Sequence, residues 1–274
     1  MSKIIFITGA SKGFGKLWAE AFLKRGDKVA ATARNLTALN ELAATYGDNV
    51  LPLQLDVNNR TEVFAAVNKI EKHFGRIDVL INNAGNGVFG TTEETTEAQA
   101  RYQMETNFFG SLWVVQAVLP IFRKQKSGHI IQTSSYLGIT TLPLLGVYNA
   151  SKFAVEGLIE SIAKETAHLG IKTTLIEPNG YATDWAGASA TRTASDIEDY
   201  APVRAAFAKG SENPTFWGKP EATVAPVLQV ADNNNPPQRL LLGTVAYNTV
   251  QQVYTQRLKE VEAWKEVSIA AQGH

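Results

Sequence analysis

The chain contains no cysteine and only four histidines in 274 residues. Disulfides, thiolate nucleophiles and Cys-ligated zinc are therefore excluded, and the composition is compatible with a reducing cytoplasm. His73, His129, His168 and His274 are too widely spaced to form a ligand motif, so no metal is expected. Net charge is also missing, since 26 Lys plus Arg balance 26 Asp plus Glu. A chain without a field of one sign has little to draw nucleic acid or an anionic membrane, and a small-molecule partner is favoured. Long hydrophobic runs are absent as well. The opening IIFI run gives way to glycines too soon for a signal peptide. The greasiest stretch, Leu112 to Phe122, is broken by Gln116 and Pro120 and falls short of the ~20 residues that span a bilayer. It reads as a buried helix, and a cytoplasmic location is expected.

What is present is ample core material: 45% of residues are apolar and 19% charged, with no signature of disorder. The length suits one undivided α/β domain over residues 1–274. Short apolar runs alternate with longer amphipathic ones, the pattern of repeated βαβ units. Strands are expected at 4–8, 28–33, 50–55, 79–82, 128–134, 172–176 and 239–242. Helices are expected near 14–25, 36–46, 60–74, 97–126, 149–169, 219–232 and 247–266. Seven parallel strands with right-handed crossovers give a doubly wound sheet covered on both faces. Residues 179–217, rich in small residues and scattered aromatics, break the rhythm and read as a substrate lid at the carboxyl edge. Residues 245–274 form a helical extension.

TGASKGFG lies between the first strand and the first helix, the context a phosphate site requires. Gly9, Gly13 and Gly15, with Ser11, Lys12 and Phe14, let the backbone turn tightly and approach a pyrophosphate favoured by the helix N-terminus. At the end of the second strand, Ala33 stands where an acidic residue would select NAD. Arg34 and Lys12 supply two cations for the 2′-phosphate of NADP(H). Asp56 and Val57 follow the third strand and are placed at the adenine edge or, as the competing reading, at a helix cap. Further on, Tyr148 and Lys152 sit four apart on one helical face. A cation beside a phenol, whose usual pKa is about 10, eases proton exchange with a substrate oxygen.

Together with Asn82-Asn83-Ala84-Gly85, Asn107, Ser135 and the Pro178 to Thr183 segment, these motifs resemble the classical short-chain dehydrogenase/reductase family over residues 3–243. TARN and TDWAG are similar to a bacterial oxidoreductase branch. The resemblance implies a Rossmann-type fold and a homodimer or homotetramer paired through the helices at 97–126 and 149–169. It implies that Tyr148 gives the proton and Lys152 lowers the phenol's pKa and holds the nicotinamide ribose. Ser135 would bind the carbonyl oxygen, its thirteen-residue spacing from Tyr148 selecting it over Ser134. Asn107 would hold a relay water, Asn83, Ala84 and Gly85 would flank the cofactor, and Pro178 and Thr183 would close over it.

Two departures stand out. Asn179 replaces the glycine that usually follows this proline, its amide expected near the nicotinamide in a backbone that tolerates positive φ. Asn86 follows NNAG where an aromatic or apolar residue is expected. Both are assigned to the substrate pocket with Phe89, Leu137, Leu142, Leu145, Tyr181, Trp185, Phe216 and Trp217, which suit a hydrophobic ketone or aldehyde and its alcohol. Arg192 and Arg204 in the lid are read as surface charges. The expected activity is NADPH-dependent carbonyl reduction, reversible as alcohol dehydrogenation. The alternative is a non-catalytic NADP(H)-sensing regulator or scaffold on the same fold.

Overall fold

The computed structural model describes residues 2–187 and 190–273; His274 and the lid residues Ala188 and Ser189 lie outside the described residues. The strands are β1 (Ile4–Ile7), β2 (Lys28–Ala33), β3 (Val50–Gln54), β4 (Val79–Asn82), β5 (Gly87–Phe89), β6 (Gly128–Thr133), β7 (Ile171–Pro178), β8 (Ala190–Arg192) and β9 (Arg239–Leu242). Seven of them form one parallel sheet in the order β3-β2-β1-β4-β6-β7-β9. Alternate residues of a strand face opposite layers. Thus Ile5 and Ile7 pack with Trp18, Phe22 and Val227 on one side, whereas Phe6 packs with Val67, Val118 and Ile159 on the other. The sheet is buried on both faces, and its interior strand β1 carries no polar residue at all.

The helices are α1 (Gly13–Lys24), α2 (Asn40–Tyr46), α3 (Arg60–Phe74), α4 (Glu97–Met104), α5 (Gly110–Gln125), α6 (Gly146–Thr166), α7 (Ala201–Ser211), α8 (Val224–Asp232), α9 (Thr244–Ala263) and α10 (Lys265–Ala270). Their ends follow local chemistry. Asn59 caps α3 by accepting from Glu62 N, and Gly75 ends it in the left-handed conformation at φ 80°. Thr96 and Gln99 form a reciprocal capping box on α4.

The helix expected over 97–126 is interrupted by a π-helical turn at Glu105–Phe109. That turn carries Asn107, and such wide turns recur at functional sites. Two strands were not foreseen. β5 and β8 pair in parallel, Gly87 with Ala190 and Phe89 with Arg192, and this short ladder ties the lid to the loop after β4. Three-residue strands are too short to show a period in sequence.

Candidate active site

The glycine turn between β1 and α1 has the backbone its sequence requires. Gly9 and Gly13 have φ of 68° and 55°, where a side chain is strained. A Cβ on Gly15 would come within 2.2 Å of Gly9 O and 2.7 Å of Asn83 Nδ2. The first turn of α1 therefore packs against the tip of β4 only because that residue is glycine. Asn83 Nδ2 donates to Thr8 O at 3.1 Å, while Asn83 N and Ala84 N donate to Thr8 Oγ1 at 2.9 and 3.0 Å. The NNAG segment thus steadies the carboxyl ends of β1 and β4. This leaves a cleft bordered by Ser11, Lys12, Gly13, Phe14, Arg34, Asp56, Val57 and Gly85, shaped for a dinucleotide phosphate backbone.

At the adenosine end Arg34 Nη1 donates to Tyr102 Oη at 3.0 Å. Tyr102, on α4, was not identified from sequence, because a lone tyrosine on an amphipathic helix gives no signal. Asp56 accepts from Asn58 N at 3.0 Å and shapes a turn; Asn59, rather than Asp56, caps α3.

The second half of the cleft is built on β6 and α6. Ser135 Oγ accepts from Leu137 N at 3.1 Å and lies 3.4 Å from Pro178 O. Its hydroxyl lies near the Tyr148 side chain and lowers the phenol's pKa. Ser134 faces away, toward Glu156, as neighbouring extended residues must. The geometry selects Ser135. Lys152 Nζ donates to Thr133 O at 3.0 Å and lies 5.7 Å from the Tyr148 ring centroid. Burial lowers the Lys152 pKa to about 8, opposed by the charge of Glu156.

Burial also acts on Tyr148. Its pKa is raised by desolvation, more than the neighbouring Ser135 hydroxyl lowers it. The sequence places a cation beside this phenol to ease ionisation, but enclosure is the larger effect because a dry site penalises the phenolate. Asn107 is buried, with Nδ2 donating to Ser151 Oγ at 3.0 Å and Asn86 O at 3.1 Å, and Oδ1 accepting from Asn86 N at 2.9 Å.

Above this floor the nucleotide cleft runs on into an apolar chamber, the two forming one cavity of about 840 Å³. Phe89, Leu137, Leu142, Leu145, Tyr181, Trp185, Phe216 and Trp217 all border it, as do Pro178 and Thr183. Trp185 lies over Tyr148, its ring centroid 4.8 Å from that of Tyr148 and 5.4 Å from that of Phe89. A Cβ on Gly87 would meet the Trp185 ring at 2.5 Å, so that glycine makes the indole's berth. Ala206, Phe207 and Gly210 of α7 complete the wall; their contribution was not legible, since α7 lies in a stretch without steady period.

The two asparagines differ from expectation. Asn179 borders the cavity, but its Nδ2 donates to Gly180 O at 2.7 Å and Phe216 O at 3.3 Å. Its Oδ1 accepts from Ala246 N at 3.4 Å. The amide knits β7, the end of the lid and the start of α9 together instead of projecting toward the nicotinamide, and Asn179 is not among the residues of positive φ. Asn86 likewise spends its Oδ1 on Gln103 Nε2 at 2.6 Å. Arg204 is no free surface charge: it bonds Ile197 O at 2.6 Å and pairs with Glu94 at 3.2 Å. Arg192 donates to Ala186 O at 2.9 Å and covers the Phe89 ring. Among the described residues no group of acidic or histidine side chains could hold a metal ion, and no helix is long and apolar enough to cross a membrane.

A glycine cradle that opens directly onto a Tyr-Lys-Ser group, at the carboxyl edge of a parallel sheet, defines a nicotinamide-dependent oxidoreductase. Residues 3–194 match the family model described as short chain dehydrogenase, and the chain belongs to that family. It is 40% identical over 274 residues to oxidoreductase BOA17 of Botryotinia fuckeliana, covering 99% of this chain and 100% of that protein. It is 39% identical over 246 residues to a 3-ketodihydrosphingosine reductase of Bacteroides thetaiotaomicron, covering 88% of each. A crystal structure of a short-chain dehydrogenase from Streptomyces avermitilis superposes with a TM-score of 0.92 at 32% identity, covering 98% of this chain and 100% of that one.

Proposed function

We propose that this enzyme is an NADP(H)-dependent carbonyl reductase acting on a hydrophobic ketone or aldehyde, reversible as an alcohol dehydrogenase. One observation carries the reading: Tyr148, Ser135 and Lys152 converge on the floor of an apolar cavity that continues into the glycine cradle. When bound, a nicotinamide cofactor supplies the hydride that adds to the carbonyl carbon. The protein does the rest. Ser135 donates a hydrogen bond to the carbonyl oxygen and stabilises its growing negative charge. Tyr148 transfers its phenolic proton to that oxygen, and the raised pKa keeps the proton in place until the charge develops. Lys152, in its ammonium form, stabilises the phenolate left behind and positions the ribose. Asn107, in its π-helical turn, holds the water through which Tyr148 is reprotonated.

Arg34 and Lys12 support NADP(H): both border the cleft, and Ala33 offers no carboxylate to bind ribose hydroxyls or repel a phosphate. The apolar walls support a hydrophobic substrate, and one relative is named for the reduction of a ketone. A non-catalytic sensor would need neither Ser135 beside the Tyr148 hydroxyl nor an apolar cavity over the pair. The test is oxidation of NADPH and NADH, in parallel, against aryl ketones, diketones and aliphatic aldehydes, with Arg34→Ser alongside. NADPH turnover that Arg34→Ser weakens by about 10- to 100-fold, with NADH turnover unchanged, is expected. Equal use of both cofactors by the parent enzyme contradicts the assigned preference, and cofactor binding without turnover favours the sensor.

A further inference from the structure

Polar side chains around the substrate chamber are largely engaged by the protein itself. Asn86 Oδ1 accepts from Gln103, and its Nδ2 is sealed from solvent. Asn179 is held by Gly180 O and Phe216 O, and Arg192 by Ala186 O. The indole nitrogen of Trp217 donates to Ser211 O at 2.7 Å.

Tyr136 is the exception beside the reacting groups. It follows Ser135 directly, opens the 3₁₀ turn Tyr136–Gly138, borders the cavity and is 4% exposed. It belongs to the apolar cluster of Leu137, Leu145 and Tyr148. Among the described residues its hydroxyl has no hydrogen-bond partner, and burial alone moves its pKa, up to about 12. The polar atoms that are both unpartnered and sealed from solvent do not include Tyr136 Oη. This oxygen therefore faces open space, and the open space beside it is the cavity.

Tyr181 also brings a phenol to the cavity, but its ring stands edge-on to Phe14 of the glycine turn, 5.1 Å between centroids, in the dinucleotide half. Tyr136 lies in the other half, close enough to Tyr148 to raise that phenol's pKa through space. A hydroxyl enclosed by apolar groups without a partner is destabilising, and a ligand that pairs with it removes that cost. Tyr136 keeps its proton at neutral pH and is a ready donor, so it calls for an acceptor oxygen. The oxygen under reduction is taken by Ser135 and Tyr148. The acceptor left for Tyr136 is a second oxygen on the same molecule, near the first because Tyr136 adjoins Ser135.

We propose that Tyr136 binds a second oxygen of the substrate, and that the preferred substrates are hydrophobic ketones bearing a hydroxyl or carbonyl oxygen one or two carbons from the reacting carbonyl. This rests on the carbonyl-reductase reading and narrows it. A plain ketone leaves the phenol unpaired, and a site built around a donor discriminates against such a ligand. Tyr136 is a specificity residue and takes no part in hydride or proton transfer.

The test compares phenacyl alcohol with propiophenone, and β-hydroxypropiophenone with butyrophenone, pairs in which a hydroxyl replaces a methyl of similar size. In the parent enzyme with NADPH, the hydroxyketone of at least one pair should lead in kcat/KM by about tenfold or more. Tyr136→Phe should lower kcat/KM for that hydroxyketone about tenfold and leave the plain ketones within about threefold. Dividing the variant's preference by the parent's cancels the intrinsic reactivity of the hydroxyketone. Product inhibition of the parent reads the same contact without a variant: the diol of the favoured pair should inhibit about tenfold more tightly than the matching mono-alcohol. A parent that favours neither hydroxyketone, a folded variant that keeps the parent's preference, or equal losses on all four ketones would overturn the inference and leave the reductase reading in place. So would a diol that inhibits no better than the mono-alcohol. No turnover of any of the four ketones would overturn that reading and the inference with it.

Discussion

The floor and the roof of the catalytic cavity are held in very different ways. On the floor, Ser135, Tyr148 and Lys152 sit on β6, its exit and α6, and all three are at most 6% exposed. Beneath them, Arg239 of β9 binds Glu156 and Glu160 of α6 and Glu177 of β7, locking α6 to the sheet edge. The roof is a lid whose main ordered helix, α7, has no buried residue. It is tied down by the three-residue β5–β8 ladder, the Arg204–Glu94 pair and the aromatic contacts of Trp185. The proposed chemistry would therefore rest on an over-determined frame, whereas the proposed substrate wall is an element with less holding it. Changes to the floor should abolish turnover or stability, and changes to the roof should redirect turnover.

Tyr148→Phe gives the largest effect. Loss of the proton donor should lower kcat/KM about 10²- to 10⁴-fold, while calorimetric binding of reduced cofactor is retained. Arg239→Leu leaves buried carboxylates without their cation and should cost about 3–5 kcal/mol of unfolding free energy, measured by urea denaturation. Trp185→Ala sharpens the contrast from the roof. It should leave Tm within a few degrees and shift the kcat/KM ratio of bulky to small ketones about tenfold or more toward the bulky ones, read from a ketone panel.

Two pH effects are smaller. Lys152 must be charged to stabilise the tyrosinate, and burial holds its pKa at about 8, so kcat/KM for reduction should be full below that pH and fall as pH rises through it. Glu177 is raised to about 8 by burial, with the neighbouring Glu156 charge adding to it. Its folded pKa lies above the usual carboxyl value of 4.5. The stability it contributes is thus fully present below that value and lost as pH climbs through about 8. Glu177→Gln carries no such proton, so its stability should decline less across that window, measured by denaturation on either side of it.

The same contrast governs how much was legible in the sequence. β2 and β4 occupy the ranges their apolar runs mark, because a strand buried on both faces admits little else. The glycine turn and the Tyr148–Lys152 pair were equally plain, since each depends on local spacing that folding does not alter. The phenol's raised pKa was not, because its enclosure, with Trp185 against the ring, comes from chain segments far apart. Asn86 and Asn179 border the cavity, but their amides answer to Gln103, Phe216 and Ala246, partners that only the tertiary fold brings near. The β5–β8 ladder and the α7 wall lay beyond sequence reasoning for the same reason.

The central claim is that Tyr148 transfers a proton to a carbonyl oxygen in this cavity. The most direct measurement follows loss of reduced-nicotinamide absorbance with a hydrophobic ketone, comparing the parent enzyme with Tyr148→Phe at saturating NADPH. Turnover by the parent that the substitution abolishes, with cofactor binding intact in both, is the predicted result. Turnover that survives the loss of this hydroxyl would contradict the account.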